Sequence, residues 1–99
     1  MAITMGTKQP TGFKAGKITV GTSKVQGPNV PVATGEAVIL SSAPNNTKNI
    51  WIGDSGVAIN NGFELVPGSG VAIKVDNVNR LWFISEASGQ VVYYACEVP

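Results

Sequence analysis

Apolar and polar positions alternate in several short runs separated by turn-forming residues, the pattern of half-buried β-strands. Residues 71–75 are the clearest case: Val71, Ile73 and Val75 alternate with Ala72 and Lys74, so one face is buried and the other is at least partly solvated. Further strands are predicted over residues 36–41, 49–52, 63–66, 80–85 and 90–98, with brief ones at 18–20 and 57–59. Turn chemistry divides them. Pro44-Asn45-Asn46 ends the first of these runs, and Asp54-Ser55-Gly56 follows the second. Asn60-Asn61-Gly62 offers the positive φ of a tight hairpin connection. Pro67-Gly68 fits the central pair of a type II turn.

The last two runs do not alternate cleanly. If Leu81 and Phe83 point inward, Trp82 and Ile84 point outward; if Val92, Tyr94, Cys96 and Val98 point inward, Val91, Tyr93 and Ala95 point outward. Read as a closing hairpin around residues 86–89, this pair is apolar on both faces, so something has to cover the second face. No window sustains a 3.6-residue apolar period with capping signals, which predicts little or no helix. The fold class expected is all-β: an antiparallel β-sandwich or jelly-roll-like barrel with an extended N-terminal arm.

That arm comprises residues 1–35, ahead of a sandwich core over residues 36–99. Nine glycines and prolines interrupt the arm between Gly6 and Gly35, and neither residue favours an independent core. It lies either on the protein's own sheet or on a neighbouring subunit. Charge follows the same division. Residues 1–35 hold Lys8, Lys14, Lys17 and Lys24 and no acid, whereas residues 36–99 hold six acids against Lys48, Lys74 and Arg80. Two halves of opposite sign favour association. The overall net charge of +1 is too small for a dedicated nucleic-acid domain.

Composition removes much chemistry. With no His and one Cys in 99 residues, Ser-His-Asp and Cys-His catalysis and His-containing zinc sites are excluded. Cys96 cannot close an intrachain disulfide, and its place in an apolar run makes it a small buried hydrophobe. Asp54, Glu64, Asp76, Glu86 and Glu97 sit singly in turns or strands, where capping and solvation explain them. No cofactor and no metal are expected, and the chain is read as non-enzymatic. The N-terminus lacks the basic flank and apolar run of a signal peptide, and no apolar stretch is long enough to span a membrane, so a soluble product of the cytoplasm is expected.

The large amphipathic residues are the positive signal, because aromatics on sheets anchor interfaces or stack on ligands. Trp51, Trp82, Ile84, Val91 and Tyr93 are the candidate oligomer interface, and Lys8, Lys14, Lys17 and Lys24 are the candidate contacts of the arm with a larger assembly. A carbohydrate-binding β-sandwich module, stacking sugar rings on Trp51 or Tyr93, is the alternative from another functional class. Single-stranded nucleic acid fits less well, since the stacking candidates lie in the acidic half.

Over residues 48–97 a family resemblance joins these readings. Lys48-Asn49-Ile50-Trp51-Ile52-Gly53-Asp54-Ser55-Gly56-Val57, then Asn61-Gly62-Phe63-Glu64-Leu65-Val66-Pro67-Gly68, then residues 71–84 and 89–95 resemble small β-domain proteins of tailed-bacteriophage virions. An I-x-I-G strand, an N-G-F-x-L-x-P-G hairpin and a V-D-N-V-N-x-L-W-F-I return come in that order. The resemblance implies a virion structural protein made in the host cytoplasm, a capsid decoration or cement protein, with tail or head-fibre attachment as a close variant. Its implied partners are the major capsid protein or another virion protein and further copies of itself, a trimer ahead of a dimer, with no nucleic acid and no membrane. The arm before Gly35 matches no motif of that family; it is a capsid-gripping strand, a subunit-exchanging strand or a tether.

Overall fold

The computed structural model describes residues 12–99. Eight strands follow in chain order: β1 (Gly12–Val20), β2 (Val25–Gln26), β3 (Val38–Ser42), β4 (Ile50–Gly53), β5 (Phe63–Leu65), β6 (Gly70–Ile73), β7 (Trp82–Ser85) and β8 (Gln90–Val98). They form two four-stranded antiparallel sheets, a front sheet ordered β1-β8-β3-β6 and a back sheet ordered β2-β7-β4-β5. The pairings are nested: β1 with β8, β2 with β7, β3 with β6, β4 with β5. This is the strand order of a jelly roll. The two sheets stay separate, so the expected sandwich is present and the closed-barrel alternative is not.

Alternation places the core between the sheets. Val20, Val38, Leu40 and Val92 from the front sheet meet Ile50, Leu65 and Phe83 from the back sheet, all essentially inaccessible to solvent. The parity expected for the last two strands is the observed one, since Phe83, Val92, Tyr94 and Cys96 face inward and Trp82, Val91 and Tyr93 face outward. Their partnership differs from expectation. β7 pairs with β2 and β4, β8 pairs with β1 and β3, and residues 86–89 cross from one sheet to the other instead of closing a hairpin. Each outward apolar face therefore belongs to a different sheet.

Residues 12–35 are integrated into this core. β1 pairs with β8 along its whole length, from Gly12↔Val98 to Val20↔Gln90, and Ile18, Val20, Val30 and Val32 are buried with the rest. Residues 25–32 run beside residues 76–83: the Gly27 N–H donates to Leu81 O, the Val32 N–H to Asp76 O and the Val78 N–H to Val30 O. Among the described residues, the composition step at residue 35 does not divide the fold, because residues on both sides of it share one continuous core.

Turns and buried polar groups complete the frame. The Ser69 N–H donates to Val66 O with Gly68 at φ +83°, the type II turn expected at Pro67-Gly68. Buried Gln90 accepts from the Thr47 and Lys48 N–H groups and donates to Thr47 Oγ1 and Ser88 O, tying the β3–β4 loop to β8. The only helical turn among the described residues is a 3₁₀ turn at Val78–Arg80. Asn77 caps it by accepting from the Asn79 N–H, and this turn replaces the start of the strand expected at residue 80.

Candidate functional site

The two outer faces of the sandwich carry the candidate residues, and they differ. On the back sheet, the β4–β5 connection folds over Trp51 and Ile84, leaving them 5% and 9% exposed, with Val57 buried against them and Ile59 and Trp82 packed alongside. Residues 57–59, expected as a strand, supply this cover from a loop; only Ala58 and Asn61 form a bridge. Asn60 takes the positive φ of the turn at +63°, which Asn tolerates. Gly62 is needed for close approach: a Cβ there would lie 2.8 Å from both Ile52 O and Val57 Cγ2.

On the front sheet nothing among the described residues covers the outer face. Cross-strand register sets Ala15, Ala95, Ile39 and Ala72 in one row and Lys17, Tyr93, Ser41 and Gly70 in the next. Phe13 is 67% exposed, Ile39 56% and Tyr93 47%. Between Tyr93, Ile39 and Ala95 lies an open, almost wholly apolar depression of about 450 Å³. Small residues beside large exposed ones make a nearly flat surface with one hollow, the form of a docking face.

The five expected interface residues therefore do not form one patch. Trp51 and Ile84 are closed under the chain's own loop, Trp82 is half-buried beside them, and Val91 and Tyr93 lie on the opposite side of the molecule. Phe13, Ile39 and Ala95 complete the open face. For Phe13 and Ile39 the missing signal was register, because neither stands out until β1 and β3 are set on either side of β8. The lysines separate too. Lys14 and Lys17 are exposed on edge strand β1, Lys24 donates to Ser55 O on the back side with its Nζ 6.0 Å from the Trp82 ring centroid, and Lys8 lies outside the described residues. Exposed charge on an edge strand discourages uncontrolled strand addition.

A second concavity, of about 600 Å³, borders the back sheet around Trp82, Gln26, Asp54, Asn79 and Arg80. The Arg80 guanidinium makes two hydrogen bonds to Asp76, at 2.9 and 3.3 Å, and holds that carboxyl below the usual carboxylate value, first by hydrogen bonding and then by charge. Burial pushes the Cys96 thiol up, so it stays a neutral, packed side chain. Among the described residues no three His, Cys, Asp or Glu side chains gather as a metal site requires, and no helix is long and apolar enough to cross a membrane.

Compared with known proteins, the chain matches no family model, no curated protein and no solved structure. What it can do must be argued from these two surfaces.

Proposed function

We propose that this chain is a non-enzymatic structural protein of a tailed-bacteriophage virion, a capsid decoration protein that works as a homo-oligomer assembled through the open face of the front sheet. The observation carrying the proposal is that exposed apolar strip of Phe13, Ile39 and Tyr93 on a sheet whose opposite counterpart is closed by its own loop. The strip is the place for a second copy. Lys17 and Glu97 stand outward at opposite ends of it, each beside β1 or β8 partners, so an inverted copy sets unlike charges over one another while the Ala15-Ala95-Ile39-Ala72 row packs at the centre. Lys14, on the other side of edge strand β1 from Lys17, then meets carboxylates of the capsid, and many weak contacts add through avidity. The resemblance of residues 48–97 to phage virion β-domains supports the same reading; tail or head-fibre attachment would use the same surface.

Purified protein added to undecorated capsids should bind saturably and raise the temperature at which they disrupt, since a ligand of the assembled state stabilises it. Ile39→Asp should abolish oligomerisation and reduce capsid binding while the chain still folds. Binding that never saturates, or that survives in the monomeric variant undiminished, contradicts the proposal.

A further inference from the structure

We propose that the groove around Trp82 is a binding site for a neutral saccharide, separate from the association face and independent of the virion reading. The groove is open and about 600 Å³, within the range of small-molecule sites. It lies between the end of β2, the β4–β5 loop and the 3₁₀ turn, on the other side of the molecule from Tyr93.

Its chemistry selects the ligand class. One wall is the half-buried Trp82, held in β7 between Gln26 of β2 and Gly53 of β4. An indole offers a flat apolar face with a polar N–H at its edge, matching a sugar ring with C–H groups on one face and hydroxyls at the rim. Around it stand uncommitted polar atoms: among the described residues the Asn79 side chain makes no hydrogen bond, Gln26 uses only its Nε2, on Asn79 O, and Asp54 uses only Oδ1, on the Gly56 N–H. Amides and carboxylates together accept from and donate to neighbouring hydroxyls.

Charge excludes the competitors. An anion such as a phosphate or nucleotide needs a free cation among the lining residues, but Arg80, the cation that lines the groove, is committed to Asp76. A cation would find Asp54 alone as an unpaired carboxylate. A lipid needs a larger apolar surface than one indole face. A neutral polyol satisfies what is left.

The site is also preformed. Asn77 accepts from the Val30 and Asn79 N–H groups and donates to Asn29, Asp54 fixes its own turn, and Lys24 holds Ser55 at the lip. Little ordering is required on binding, which is what lets a shallow groove retain a ligand.

The test is an array of mammalian and bacterial glycans, followed by titration of the best-bound oligosaccharide into isotopically labelled protein, with inorganic phosphate and AMP as charged controls. The expected result is saturable shifts at the Trp82 indole N–H and the Gln26 and Asn79 side-chain amides, with Tyr93 unmoved. Trp82→Ala should weaken binding about tenfold or more, the loss expected for one stacked ring. Because that variant also disturbs packing around Ile84, Asn79→Ala serves as the second: it should weaken binding severalfold with thermal unfolding unchanged. An empty array, saturation of the same residues by phosphate or AMP, or indifference to Asn79→Ala overturns the assignment. None of these results bears on oligomerisation through the front sheet.

Discussion

Both sheets of this sandwich present apolar residues on their outer faces, yet among the described residues only the back sheet closes its own. Trp51 and Ile84 are roofed by residues 54–62, whereas Ile39 and Tyr93 on the front sheet stay open to solvent. The back-sheet loop is long enough to fold over, and glycine at 62 lets it approach within contact of Ile52 and Val57. Among the described residues the front sheet has no such loop over it: its β3–β4 connection is instead fastened by Asn46 and Gln90 at the start of β8. Covered apolar area stabilises the monomer, while uncovered apolar area is available to another molecule. A tryptophan on a sheet is thus no guide to an interface until its cover is known.

The comparison breaks most visibly through Trp51. Trp51→Ala should destabilise the fold by about 3–5 kcal/mol, as for large buried aromatics, seen as a large drop in the thermal midpoint. Next comes Gly62→Val, which forces the loop from the sheet; a loss of about 1–3 kcal/mol is expected from overpacking, with a red-shifted tryptophan emission as Trp51 is wetted. On the open side the ranking inverts. Tyr93→Ala should leave monomer stability within about 0.5 kcal/mol, as for surface substitutions, yet weaken self-association about tenfold or more, the effect of losing an interface aromatic. The smallest effect is expected at Asp76→Asn, which should leave the thermal midpoint unresolved from wild type at neutral pH, because the ion pair is exposed. Arg80 depresses the Asp76 pKa, so any contribution is present above the ordinary carboxylate pKa of about 3.9 and fades as pH falls through the lowered value. An acid-unfolding curve that differs from the variant's well above that range contradicts this.

Much of the frame was legible because it is local. The β-branched and aromatic run of residues 90–98 gives β8, the period of two pairs the residues that share a side of each final strand, and Pro67-Gly68 specifies its own turn. The need to cover Trp82 and Ile84 followed from the same parity. What covers them did not. Val57-Ala58-Ile59 has the apolar spacing of a strand, and only the packing of Val57 on Trp51 turns it into a lid. The first half of β1 escaped notice because Gly12-Phe13-Lys14-Ala15-Gly16-Lys17 has little alternation of its own and is held by pairing with β8, some eighty residues away along the chain. The same distance hid the open face, whose rows combine residues from four strands. The Trp82 groove joins the end of β2, the β4–β5 loop and the 3₁₀ turn, so residue type alone could not single out Trp82 over Trp51 as the solvent-facing ring.

The central claim is that the front sheet's outer face is completed by another copy of the chain. Sedimentation equilibrium on wild type and Ile39→Asp tests it most directly. The account predicts an oligomer for wild type and a monomer with unchanged thermal unfolding for the variant. A wild-type chain that stays monomeric at every concentration, or a variant that oligomerises as wild type does, would contradict it.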